Sequence, residues 1–258
     1  MATLSVRQIA QNCLGKTGNL SVNSDVYGYV FRDADGSVFG TLGGNDTFPG
    51  SGQPTTRSLR RHLETISGDA TDLVLILVGH ENDFVSGVTD RDDVTKVQYA
   101  VQVMRDLYAQ VDVGIRRLNW QRIPLADAGG YVDIADGSEA EDLTDDWNGP
   151  NGGIDVFWVQ TVGVAAGWSN TNGPCDKDSK DGRTGAVLEL LGSRRFTGIL
   201  AGHEVGHYLG LGHTSSVANM MGDDSDGDGI GSIDSNSTAV SVSEGNTMRS
   251  HCSVNGPC

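Results

Sequence analysis

Ala201-Gly202-His203-Glu204-Val205-Gly206-His207-Tyr208-Leu209-Gly210-Leu211-Gly212-His213 opens a segment that continues through Thr214 to Met221. The chain has six histidines, and three of them, His203, His207 and His213, fall in this short stretch. His203 and His207 are four apart, which on a helix places them on one face, one turn apart, where both imidazoles can reach a single ion. Glu204 follows the first histidine and points to the side, close enough to address a water at that ion without ligating it. Gly210 can take a positive φ and end the helix without steric cost. The chain can then turn back and bring His213 to the same point. Three neutral imidazoles leave a fourth position open, the layout of a catalytic rather than a closed structural zinc site.

Outward from this segment, the pattern is one of alternating strands and helices. Leu73 to Val78 is a six-residue apolar run rich in branched residues and reads as a buried strand. Asp92 to Val111 places Val94, Val97, Ala100, Val101, Met104, Leu107 and Tyr108 at spacings of three and four, predicting an amphipathic helix against a core. Val113 to Ile123, Ile154 to Val162 and Thr184 to Leu191 read as further strands. Asp133 to Asp146 is half acidic and reads as a surface loop with a short helical turn. Ser169 to Arg183 is a polar loop, and Ser241 to His251 reads as a closing helix. This alternation suggests a mixed α/β or α+β layer. Residues 71–258 form the expected main domain. Residues 1–70 form an N-terminal portion of uncertain role, with a short helix over 3–13, a hairpin from Val26 to Arg32 and Ser37 to Leu42, a loop over 43–56 and a helix from Ser58 to Ile66.

The extended pattern His203-Glu204-x-x-His207-x-x-Gly210-x-x-His213 resembles that of the metzincin clan of zinc metallopeptidases. A methionine on a tight turn beneath the metal is the second mark of that clan. Met221, in Asn219-Met220-Met221-Gly222, stands eight residues past His213, a spacing similar to that of the matrixins. Met248 is the rival, but it falls in the expected closing helix. Thr214 stands where matrixins commonly carry Ser, and Gly206 and Tyr208 are similar to pappalysin-like sequences. No tyrosine follows Met221, so an astacin-type tyrosine ligand is not expected, and no cysteine-switch peptide is present. The resemblance implies an α+β fold: a twisted mixed sheet with a long backing helix, an active-site helix, a small C-terminal subdomain and a cleft with zinc at its floor. It implies a zinc endopeptidase acting on protein or peptide substrates, with His203, His207 and His213 as ligands, Glu204 as catalytic base, and Gly210 and Met221 as structural residues. The strand from Thr184 to Leu191 is the expected edge that would pair with an extended substrate.

Asp224-Ser225-Asp226-Gly227-Asp228-Gly229-Ile230 has the alternating carboxylates and sixth-position glycine of an EF-hand-type calcium loop. Asp224, Asp226, Asp228, Ile230 and Asp234 are thus candidate calcium ligands, although the terminal glutamate of such loops is absent. A different class of function, an inactive metalloprotease-like calcium-dependent binding module, would keep calcium and hold no zinc; nothing in the histidine motif is degraded in that direction.

The 258 residues carry 18 basic and 34 acidic side chains, a net charge of −16 that disfavours nucleic-acid binding. No apolar run approaches the roughly 18 residues of a membrane span. Cys13, Cys175, Cys252 and Cys258 include no CxxC pair, and an even, wide spacing fits two disulfides and an oxidising, extracellular compartment. Three pairings are compatible with the sequence. No signal-type apolar stretch is present at the N-terminus, and a trimmed secreted form, monomeric, is expected. His62 and His251 read as surface residues, and Trp120, Trp147, Trp158 and Trp168 as core or cleft wall.

Overall fold

The computed structural model describes residue 13 and residues 21–25, 28–32, 38–43, 65–79, 88–149, 152–163, 165–179, 183–223 and 232–258. Its centre is β4, Ala70–Val78. Leu73, Leu75 and Leu77 enter one core and Val74, Ile76 and Val78 the other. Successive side chains of a strand point to opposite faces. A strand covered on both faces therefore reads as an unbroken apolar run.

Four parallel strands build the main sheet: β5 (Gly114–Ile123), β4, β7 (Ile154–Val159) and β10 (Gly185–Glu189), in that order. β9, Gly167–Ser169, is added antiparallel to β10 and forms the edge. β11, Val254–Asn255, pairs with the first two residues of β4. The segment from Thr184 to Leu191 is thus an internal strand, flanked by β7 and β9, and not the expected edge. Gly167-Trp168-Ser169 is too short to display a strand period, which is why the true edge is hidden in the sequence.

The long helix runs Val88–Tyr108 and tightens into a 3-10 turn over Ala109–Val111. Val97, Ala100, Val101, Met104, Leu107 and Tyr108 are all buried, as the spacing predicts; the side chain of Val94 lies outside the described residues. The helix packs on one sheet face together with the helix Arg194–Tyr208, which carries the motif. Glycines at four-residue spacing permit this contact. A Cβ on Gly198 would lie 2.5 Å from the Val103 Cβ, and one on Gly202 would lie 2.8 Å from the Leu107 Cδ1. The Tyr108 hydroxyl donates to the Gly202 carbonyl at 2.8 Å between the two helices.

The opposite face holds a correction. Gly137–Asp146 is a ten-residue helix rather than a loop. The Asp136 carboxylate caps it by accepting from the backbone N–H groups of Ser138 and Glu139. Ala140 and Leu143, three apart, bury its inner side; two apolar anchors among acidic residues are too few to show a period. The expected strand from Ile154 to Val162 also divides, because β8 (Thr161–Val162) leaves the main sheet to pair in parallel with β6 (Asp133–Ile134).

The N-terminal hairpin is present as β2 (Gly28–Arg32) and β3 (Val38–Gly43), antiparallel, with β1 (Ser21–Asp25) added to form a separate three-stranded sheet. The expected helix over 3–13, apart from residue 13, and the loop over 43–56 past residue 43 lie outside the described residues. Of the helix to Ile66, residues 65–67 are described and helical. Disulfides join Cys13 to Cys258 and Cys175 to Cys252, so all four cysteines are paired. The closing helix spans Val242–Ser250, with Ser241 and Glu244 forming a reciprocal capping box. Among the described residues no helix is long and apolar enough to cross a membrane. Trp158 is fully buried between sheet and helices, and Trp120, Trp147 and Trp168 pack at the margins of the two cores.

Candidate metal centre

The motif helix is buried from Thr197 to Tyr208, so its two histidines and its glutamate emerge within the protein rather than on its surface. Gly210, with φ +93°, ends the helix as expected, and its N–H donates to the His207 carbonyl. A second segment completes the cap in space: the N–H groups of Asn172 and Gly173 donate to the carbonyls of His207 and Tyr208 at 2.8 Å. That loop is tied down by the Cys175–Cys252 disulfide and by a buried ion pair, Lys177 Nζ to Asp155 Oδ1 at 2.8 Å. The chain beyond Gly210 reverses and pairs Thr214 with Gly222, returning His213 to the helix.

The three Nε2 atoms converge. His207 Nε2 lies 3.0 Å from His203 Nε2 and 2.9 Å from His213 Nε2, and His203 and His213 are 3.3 Å apart. Each Nδ1 has an oxygen partner at 2.8 Å: the Met220 carbonyl for His203, the Leu211 carbonyl for His207 and Asp223 Oδ2 for His213. A carbonyl or carboxylate oxygen can only accept, so each Nδ1 carries the proton and each Nε2 presents a lone pair. Three facing lone pairs at this distance repel one another unless a cation lies among them. Metal–nitrogen bonds of about 2.0–2.1 Å at the tetrahedral angle space two nitrogens about 3.3 Å apart, close to this triangle. The donor set therefore fits a divalent ion. Burial, aided by the neighbouring His207, lowers the His203 imidazole to about 4, and burial likewise lowers His207, so both are biased toward the neutral form that can ligate.

Glu204, next in sequence to His203, is buried, and burial raises its carboxyl to about 8. Gly167, on edge strand β9, leaves the space its carboxyl occupies: a Cβ there would lie 2.6 Å from Glu204 Oε1. Met221 sits on a tight turn, where the Gly222 N–H donates to the Asn219 carbonyl and the Met221 N–H donates to Asn219 Oδ1. Its sulfur packs under the helix at Gly206, where a Cβ would approach to 2.9 Å. Met248 lies in the closing helix, buried in the core.

Asp224, Asp226, Asp228 and Ile230 lie outside the described residues. Asp234 is described, and its carboxylate accepts from the Asn236 N–H at 2.6 Å in a local turn. His251, expected at the surface, is buried instead: its ring meets Tyr208 and its Nε2 donates to the Gly173 carbonyl, so it braces the capping loop. Among the described residues one other histidine–cysteine group, Cys175, His251 and Cys252, has the spacing of a metal site, but its cysteines are joined to each other. Sequence reasoning missed Asp223, Gly167 and the Lys177–Asp155 pair, whose roles arise from contacts between segments distant in sequence or in separate loops.

No protein-family model and no curated protein matches the chain. Among the solved structures that match, one described as "Structure of a chaperone-substrate complex" aligns at 16% identity with a TM-score of 0.39, over 59% of this chain. This chain spans 26% of that one, and a likeness of this size carries no functional information.

Proposed function

We propose that the protein is a zinc-dependent endopeptidase of the metzincin type. The observation that carries this reading is the closed triangle of Nε2 atoms, each with its opposite nitrogen committed to an oxygen, together with the burial of Glu204, next to His203 on the same helix. His203, His207 and His213 would hold the ion, and borderline-soft imidazole ligands in an open three-coordinate set suit zinc. Zinc, when bound in such a site, acts as a Lewis acid that makes water nucleophilic near neutral pH.

Glu204 takes the proton of the attacking water and delivers it to the leaving amine. Its raised pKa suits both halves of that task, because a shuttle works best near the operating pH. Gly167 keeps β9 close to Glu204, and an extended peptide added at that edge would pass beside the carboxyl. Met221 and Gly210 shape the floor and the turn that carry His203 and His213. Two disulfides support an extracellular setting.

The test is Glu204→Gln, assayed on casein with metal content measured alongside. The variant is expected to keep its metal and to lose about 10²–10⁴-fold in cleavage rate. Cleavage at the parent rate would remove Glu204 from the chemistry, and a parent that cleaves no protein substrate with its metal in place would refute the peptidase reading.

A further inference from the structure

The three imidazoles are not held alike. His203 and His207 are buried and give their Nδ1 protons to main-chain carbonyls, which any sequence would supply at those positions. His213 is exposed, and its Nδ1 meets a side chain, Asp223 Oδ2, at 2.8 Å. Asp223 is placed by the backbone: its N–H donates to the Thr214 carbonyl, and the Thr214 N–H donates to the Met221 carbonyl, so two short rungs join the residue after His213 to Met221 and Asp223, on either side of Gly222. That pairing brings Asp223 beside His213 from ten positions away.

We infer that Asp223 is the positioning residue of the third metal ligand, fixing the tautomer and direction of His213 and setting how tightly the centre keeps its ion. This rests on the metal-centre reading above. A free His213 ring would rotate about its side-chain bonds and alternate between its two nitrogens. A carboxylate accepting from Nδ1 ends that freedom and increases the electron density at Nε2, as carboxylate–histidine pairs do in metal sites generally. The helical ligands need no such device, because helix geometry and burial already fix them. Control of affinity is thereby concentrated in one partly exposed imidazole–carboxylate hydrogen bond.

Zinc affinity of the metal-stripped full chain, measured by competition with a chromophoric chelator, tests this for the parent, Asp223→Ala and Asp223→Asn. Asp223→Ala is expected to bind zinc about 10- to 100-fold more weakly. Asp223→Asn should fall between, since its amide oxygen still accepts from Nδ1 without the charge. The cobalt-loaded proteins supply a second readout: the parent should show the intense visible bands of a tetrahedral site, and Asp223→Ala weaker, shifted ones. Parent-like affinity and spectrum in Asp223→Ala would overturn the inference while leaving the metal centre intact. Should the alanine variant fail to fold, parent-like affinity in Asp223→Asn together with an unchanged cobalt spectrum would overturn it equally. A parent that binds neither zinc nor cobalt would overturn the metal-centre reading and this inference together.

Discussion

The metal centre has a helical half and a loop half, and they are built on different principles. His203 and His207 ride on a helix pressed against the long helix through Gly198 and Gly202, with main-chain carbonyls fixing both rings. His213 stands on a chain reversal, kept in place by two backbone rungs and the Asp223 carboxylate. The first half is as rigid as the core that surrounds it. The second depends on a few polar contacts at the surface, so it can change without unfolding the protein. Rigidity and adjustability are thus divided between neighbouring ligands of one site.

Packing should separate the halves most strongly. Gly198→Val would drive new atoms into Val103 and the Ala100 carbonyl, which a Cβ alone would approach to 2.5 and 3.0 Å. Urea unfolding should show a loss of about 2–3 kcal/mol. Gly212→Ala, in the loop half, meets nothing within 4 Å and should stay within about 0.5 kcal/mol of the parent. Equal losses in the two variants would erase the distinction.

Acid should act through the helical half as well. The His203 imidazole titrates near 4 when folded against 6.5 ordinarily, so between these values the unfolded chain binds the extra proton. The contribution is fully present above about pH 6.5 and is lost as pH falls toward 4, the loss from His203 alone amounting to about 2 kcal/mol by pH 5. Urea titrations of the metal-free chain at pH 7 and pH 5 measure this, and the loss should shrink in His203→Gln. A loss of the same size in that variant would assign it to other groups.

What the sequence disclosed follows the same division. The helical half could be read directly, because a four-residue spacing has one meaning on a helix. Gly210 was legible for a similar reason: few residues take φ +93° without strain. The buried strand β4 and the inner face of the long helix were legible from their periods. Asp223 was not, since it becomes a partner of His213 only when Thr214 pairs with Gly222. The edge strand is hidden in the sequence because β9 is three residues long and contains one glycine, leaving no period to read. The helix Gly137–Asp146 reads as a loop because its acidic residues outweigh two anchors, although Asp136 followed by Glu139 is a usable N-terminal signal. The burial of His251 is not legible, because one polar ring in the sequence carries no sign of its partners Tyr208 and Gly173. The cysteine pairing was open for the same reason, since sequence separations of 245 and 77 say nothing about proximity.

Zinc content tests the central claim most directly. The purified chain, loaded with zinc and dialysed against a weak chelator, should retain about one equivalent, as a single three-imidazole site requires. His207→Ala should retain essentially none. A parent that keeps no zinc, or a His207→Ala variant that keeps as much as the parent, would contradict the account.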